Sequence, residues 1–203
     1  YENDKYVKFL KQKQIPFVAV GKFPDDDVVQ VDHDNVGACK ELVTVLFAKG
    51  IQNIAYLGSN MDQMVNRCRY QGYEEAYRKG KRKLNQDLVY TDLSSRAMVE
   101  KAVEELKNSG VECILCQDDY ICDEVVRKLA RMGVRIPDQM KVASCHYSRI
   151  LENYPITITS LKFNITELGR RSCQVLLDMI HGKTVPDKTL LDYEIILKES
   201  TKG

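Results

Sequence analysis

The sequence predicts an α/β fold built on doubly wound parallel sheet. Short apolar runs such as Ile54-Ala55-Tyr56-Leu57 have the near-continuous hydrophobicity of strands buried on both faces. They alternate with stretches of helical period, and strands separated by helices of about 10 to 15 residues form right-handed parallel units. Glycine closes one helical stretch after another, at Gly50, Gly110, Gly133 and Gly182. A residue without Cβ enters the left-handed conformation of a helix stop freely.

Residues 31–59 (VDHDNVGACKELVTVLFAKGIQNIAYLGS) are the most informative stretch. Asp34 or Asn35 can cap a helix, because a short side-chain oxygen accepts from an orphan backbone N–H. Val36, Cys39, Val43, Leu46 and Phe47 then form one apolar stripe at helical spacing. Around this unit, residues 5–13 read as a helix end, 16–20 (PFVAV) as a buried strand, 22–27 as a polar turn and 28–31 as a short strand. A helix from the turn at Gly58-Ser59-Asn60 through Lys79 precedes a strand near 88–90. Ser94 or Ser95 can cap the next helix, whose inner stripe is Met98, Val99, Ala102, Val103 and Leu106. Residues 112–116 read as strand, 120–132 as helix, 141–145 as strand and 155–163 as an extended crossing segment. A helix over 168–180 and a last strand over 190–198 complete the chain.

A chain of 203 residues can bury a real core and hold one or two domains. Its formal charge of +1 creates no field that gathers nucleic acid by itself. The dense basic run at 79–83 (KGKRK) reads as a solvated helix end, where cations suit the dipole. Seven cysteines without regular spacing fit a reducing cytoplasm rather than a secreted disulfide framework. No apolar run approaches the roughly 18 residues of a membrane span.

In doubly wound sheets ligands bind beyond the carboxyl ends of the strands. Three places there carry polar residues without an obvious structural task. Arg69 shares a helical face with Gly72, Tyr73 and Ala76, so it continues an inward face near a helix N-terminus. A cation there opposes the helix dipole, and its fork of donors suits ligand hydroxyls or a carboxylate; the competing reading is a salt bridge. At Asp118-Asp119, Asp119 is the expected helix cap, which leaves Asp118 free at the strand end. In Ser144-Cys145-His146-Tyr147-Ser148, His146 can donate and accept, while Tyr147 offers a flat apolar face with a polar tip.

Other constellations fail on geometry. Cys113 and Cys116 have zinc-like spacing, but an i, i+3 pair on a strand points to opposite faces. His33, His146 and His181 lack metal spacing, and no GxSxG, GxGxxG or P-loop occurs. No metal, cofactor or catalytic set is expected, and the chain is read as a non-enzyme.

Residues 31–59, RYQGYEEAY, CILCQDDYICDEVVRKLARMGVRIPDQMKVAS and ITSLKFNITELGRRSCQVLLDMIHG together resemble the effector-binding core of lactose/galactose-repressor-type (LacI/GalR family) transcription regulators. The resemblance is collinear over essentially the whole chain. It implies two Rossmann-like doubly wound parallel-sheet subdomains, periplasmic-binding-protein-like, joined by three crossovers with a sugar or nucleobase-like effector in the cleft. The expected division is residues 1–51 plus 162–186 as a partial N-terminal subdomain, and 52–161 plus 187–203 as the C-terminal one. Arg69 falls on the family's effector-gripping arginine, Asp118 and Asp119 on its N-D pair, and His146 near the acid of its G-Y-D-D segment. Ser144-Cys145-His146-Tyr147 replaces that segment, so the usual carboxylate is absent. Gly21 stands where some members carry an acid, which makes Lys22 and Phe23 the nearest candidates; Phe163, ending the crossing segment, completes the expected ligand-binding set.

The family's helix-turn-helix and its first strand–helix units have no counterpart in these residues, so the first subdomain is expected to be truncated and operator DNA to be bound through a missing N-terminal domain. A cytoplasmic, homodimeric regulator without membrane contact is the expected setting. For the dimer, the helix over 34–49 adds a hint: Leu42, Val45 and Leu46 widen its apolar arc beyond the stripe of about 100° that one sheet needs. The alternative function is a sugar-binding protein serving an ABC transporter.

Overall fold

The computed structural model describes residues 4–25 and 27–202. Residues 1–3, 26 and 203, expected within the two lobes and the 22–27 turn, lie outside the described residues. Among the described residues, five of the six α-helices begin where a short side chain accepts a backbone N–H, as predicted at Asp34 and Ser95. These are α1 (Lys5–Gln12, capped by Asp4), α2 (Asn35–Ala48, Asp34), α4 (Arg96–Leu106, Ser95), α5 (Asp119–Arg131, Asp118) and α6 (Ile165–Ile180, Asn164). The exception is α3 (Met64–Lys79), whose N-cap Gln63 makes no side-chain capping bond.

Among the described residues, nine strands form two sheets. The smaller is all parallel, in the order β1 (Ala19–Val20), β2 (Gln30–His33), β8 (Lys188–Leu191). The larger runs β4 (Val89–Tyr90), β3 (Ile54–Leu57), β5 (Cys113–Cys116), β6 (Lys141–Ser144), β7 (Thr159–Phe163), β9 (Tyr193–Ile196). It is parallel except for β9, which lies antiparallel to β7.

Period-two alternation divides the core of the larger sheet. Tyr56, Cys113 and Leu115 pack with Leu42, Leu46 and Tyr73 of α2 and α3, whereas Leu57, Ile114 and Cys116 pack with Val103 of α4 and Val125 of α5. Cys113 and Cys116 thus fall in opposite layers, as their strand spacing predicts, and no group of three or more metal-ligating side chains occurs among the described residues. Helix α6 packs on β1 and β2 of the smaller sheet.

The sheets correct the expected division at two points. Helix α2, placed in the first lobe, buries Ala38, Cys39, Leu42, Val43, Leu46 and Phe47 in the core of the larger sheet. Leu42 and Leu46 of its broad apolar arc therefore face inward against α3 and the sheet, while Val45 is half-buried and lies outside that core. The strand expected over 190–198 is two: β8 joins the smaller sheet and, past Asp192, β9 joins the larger, so residues 188–191 leave the second lobe. A continuous apolar run cannot reveal such a change of sheet, because its period is the same in both. The first strand is also shorter than 16–20, with Val20 62% exposed.

Candidate functional site

Three crossovers lie side by side where the sheets meet. Chain passes from β2 to α2 at Asp34, from β7 to α6 at Asn164 and from β8 to β9 at Asp192. Register brings them together: His33 pairs with Leu191 on the smaller sheet, Phe163 pairs with Tyr193 on the larger, and the His33 and Phe163 rings lie 4.9 Å apart. A cleft of about 180 Å³ opens beside this junction, lined by Lys22, Asp32, His33, Asn35, Cys68 and Thr189 among others. A second, of about 350 Å³, runs from Lys22 and Asp32 to the start of α3.

Arg69 is 8% exposed and fastened at two points. Its Nε donates to Asn35 Oδ1 at 3.4 Å and its Nη1 to the Gln117 carbonyl at 3.0 Å. No carboxylate lies within ion-pair distance of it among the described residues, so the salt-bridge reading of its buried position does not hold. Asn35 in turn donates from Nδ2 to the His33 carbonyl at 3.2 Å and to Asp32 Oδ1 at 3.4 Å. A small-sheet strand end is thereby linked through one amide to the guanidinium on α3.

Asp118 and Asp119 exchange the roles expected of them. Asp118 Oδ1 accepts from Ile121 N at 2.9 Å as the cap of α5. Asp119, the first helical residue, is 5% exposed and its Oδ1 lies 3.1 Å from His146 Nδ1. The reason is helix phase: α5 begins one residue earlier than its apolar stripe indicates. Burial works to raise the Asp119 pKa, but bonds from Ser148 and His146 outweigh it and hold the carboxyl below its usual range.

The remaining candidates divide. His146 stacks with Phe163 at 6.4 Å between centroids, so Asp119, His146, Phe163 and His33 form a continuous row along the strand ends. Lys22 lines both clefts and its side chain reaches the Cys68 thiol. Phe23 is held back in its turn, its N–H and carbonyl both bonded to the Gln30 side chain. Tyr147 donates its hydroxyl to Glu152, with Lys198 Nζ 6.0 Å from its ring centre, and lines none of the clefts above.

Several residues in and beneath the clefts carried no sequence signal. Gln117 is fully buried at the switch point between β3 and β5, where its Oε1 accepts from Ser59 N at 3.0 Å and its Nε2 donates to Ser59 Oγ at 3.3 Å. A Cβ on Gly58 would stand 2.5 Å from that Oε1, so glycine is what leaves room for the amide. Asp32 accepts from His33 N at 2.8 Å; burial raises its pKa against that bond and the nearby Arg69 charge. His33 Nε2 and Thr189 Oγ1 are buried without a hydrogen-bond partner. Burial lowers the His33 pKa against the Asn164 backbone and Asp32. The D-x-x-N spacing of Asp32 and Asn35 at a strand end was the one available clue to this network.

The family described as periplasmic binding protein-like domain matches residues 43–201. The regulator CelR of Thermobifida fusca is 26% identical over 206 residues, covering 98% of this chain and 61% of its own. MalR of Streptococcus pneumoniae serotype 4 is also 26% identical over 206 residues, covering 97% and 60%. This chain thus spans about three fifths of the length of these curated relatives. Among solved structures, a CelR–cellobiose complex superposes with a TM-score of 0.86 at 25% identity, covering 98% of this chain and 62% of that one. A LacI-family regulatory protein from Chloroflexus aggregans gives 0.88 at 23% identity, covering 98% and 73%. Both the collinear motifs and the two-sheet architecture with its crossovers therefore have the same source: the chain belongs to the periplasmic binding protein-like domain family, and it is similar over nearly its whole length to part of LacI-type transcriptional regulators.

Proposed function

We propose that this chain binds a small effector, a sugar or a sugar-like molecule, in the cleft between its two sheets, and that occupancy changes how the regulator engages operator DNA. The observation that carries this reading is Arg69: a buried guanidinium at the switch-point end of the larger sheet, bonded only to neutral acceptors and linked through Asn35 to a crossover. An effector that touches Arg69 and Lys22 together draws on elements of both sheets, and closing the cleft on it shifts the balance between two domain arrangements. The cellobiose complex of the relative CelR supports a saccharide effector. Phe163 and His146 supply an aromatic face and a hydrogen-bonding imidazole for such a ring, while Asp118, Phe23 and Tyr147 stand at the periphery through their structural bonds. Operator contact is assigned to a helix-turn-helix outside these residues, in a homodimeric cytoplasmic regulator. No helix among the described residues is long and apolar enough to cross a membrane.

The test is calorimetric titration with saccharides on the wild type and on Arg69→Ala. Losing charge-assisted contacts is expected to weaken binding by roughly 1.5–3 kcal/mol, about tenfold to somewhat over a hundredfold. Unchanged affinity in a folded variant removes Arg69 from the site.

A further inference from the structure

The basic run at residues 79–83 lies outside the cleft, and its backbone is not that of an ordinary helix end. Helix α3 is closed by two bonds: Arg82 N donates to the Tyr77 carbonyl at 2.9 Å and Lys81 N to that of Arg78 at 3.1 Å. Such a closure puts one residue in the left-handed region, and α2, α4, α5 and α6 are followed by a glycine there, at Gly50, Gly110, Gly133 and Gly182. After α3 it is Lys81, at φ +52, while the adjacent Gly80 stays right-handed at φ −73. A residue with a Cβ is strained in that region. Besides Gln14 after α1, no other non-glycine residue occupies it among the described residues. Glycine at 81 would close the helix without that strain, so what the lysine adds is its side chain.

Lys81 belongs to a wider patch. Arg82 stacks on Phe47 of α2, its guanidinium carbon 4.4 Å from the ring centre, and bonds to the Gln52 side chain. Lys49, at the end of α2, is thereby brought beside Arg78, Lys79, Lys81 and Lys83, all of them exposed. Lys49, Lys79, Lys81 and Lys83 make no ion pair among the described residues, whereas Arg96, Arg127, Lys128 and Arg131 on α4 and α5 are each paired with a carboxylate. The acids that border the patch are Glu74, one turn before Arg78, Glu75, 3.7 Å from Arg78, and Glu112, which accepts from Gln52 N and Asn53 N. With all three of these charges counted in full, the six cations still outnumber them. A total charge of +1 therefore hides a local excess. The helix dipole accounts for Arg78 and Lys79 in the last turn of α3, but Lys81 and Lys83 lie beyond it. The patch stands at the amino ends of β3 and β5, the far end of the larger sheet from the cleft.

We propose that this patch is a second interaction surface, which holds the sugar–phosphate backbone of duplex DNA without reading its sequence. The surface is remote from the cleft, and the proposal does not rest on the effector reading. What selects the partner is that the patch is charged and nothing else. None of the exposed large apolar side chains of the described residues falls between Val20 and Tyr120, and Phe47 and Tyr77 are buried beneath the cations. An acidic protein partner is ordinarily anchored by buried aromatic or aliphatic side chains, and a membrane surface by apolar insertion. Single-stranded nucleic acid is held by stacking on exposed aromatics. A duplex backbone needs only cations and donors, because release of its condensed counterions supplies the binding free energy.

The experiment is fluorescence anisotropy of this 203-residue chain with a labelled duplex of scrambled sequence, between about 50 and 200 mM salt. Polyglutamate, a single strand of the same sequence, and vesicles of phosphatidylserine and phosphatidylcholine in equal parts are the competing probes. The duplex is expected to bind most tightly, with an affinity that falls steeply as salt rises. Replacing Lys79, Lys81 and Lys83 together by Gln, at exposed positions that leave the core untouched, is expected to weaken binding at least tenfold. Each lysine that meets a phosphate should also take about 0.9 off the slope of log affinity against log salt. Replacing the paired Lys101 and Arg135 by Gln is the control and should leave binding as it is. Lys81→Gly separates the two roles of that residue: it is expected to melt higher than the wild type, because the strain is gone, and to bind the duplex less tightly. If no duplex binds at the low salt, or the triple variant binds as the wild type does, the patch is a solvated helix end and the proposal is overturned. Tighter binding of polyglutamate, the single strand or the vesicles overturns duplex DNA as the partner.

Discussion

At the scale of single residues, the cleft is organised by where each polar group finds its partner. Asp119 and His146 show how one residue of helix phase decides this: with Asp118 spent on the cap, the neighbouring carboxylate is turned into the protein to meet the imidazole. That pair has a pH signature. The Asp119 pKa is depressed in the folded protein, so its stabilisation is fully present above the ordinary value of 3.8 and is lost as pH falls through the lower folded value. Melting temperatures of wild type and Asp119→Asn should therefore differ at neutral pH and converge in acid below that ordinary value. A gap that persists unchanged into strong acid means the carboxylate's charge is not what stabilises. Arg69 also has a structural share that its sequence position did not reveal, because Asn35 Oδ1 and the Gln117 carbonyl both rely on it. Its removal is expected to lower stability as well as affinity.

At the scale of elements, the close approach of α2 and α3 is what seats Arg69. Gly72 lies at the crossing, where a Cβ would stand 2.4 Å from the Val36 carbonyl oxygen and 2.8 Å from Cys39 Cβ. Backbone cannot yield there as a flexible side-chain tip would. Gly72→Ala is therefore expected to destabilise the protein by about 1–3 kcal/mol, the usual cost of overpacking a dense interior, rather than to stabilise α3 through better helix propensity. Chemical denaturation distinguishes the two signs directly. The apolar stripe of α2 and the inward face of α3 were legible from spacing alone. Which sheet received α2 was not, since an amphipathic helix presents the same stripe to either lobe.

For the whole molecule, stability is distributed unevenly between the two sheets. Strands β3, β5 and β6 lie inside the larger sheet with helices on both faces, whereas α1 buries no residue and β1 has two residues. Amide exchange is expected to be slowest in Ile54–Leu57 and Cys113–Cys116 and fast throughout Lys5–Gln12 and at Ala19–Val20. Uniform protection across both sheets contradicts this ordering. The same contrast bears on the proposed function, in which an effector in the cleft would join the well-packed sheet to the lightly packed one. Slower exchange around β1 and β2 in the presence of ligand is the corresponding readout of closure.

The sequence by itself determined the alternation of strand and helix, the glycine stops, the capped starts of α2 and α4, the opposed faces of Cys113 and Cys116, and the family. Those properties depend on short-range chemistry: caps, glycine conformations, and periods of two and 3.6 that are written within a few residues. Tertiary structure alone decided that α2 belongs to the larger sheet, that the last apolar run divides between sheets at Asp192, and that Gln117 occupies the switch point. It also decided that Asp119 and not Asp118 faces His146 and that Arg69 is held without a countercharge. Each of these depends on partners 27 to 61 residues away or on which of two similar surfaces a segment meets. Local pattern carries no information about that choice until the chain has closed on itself.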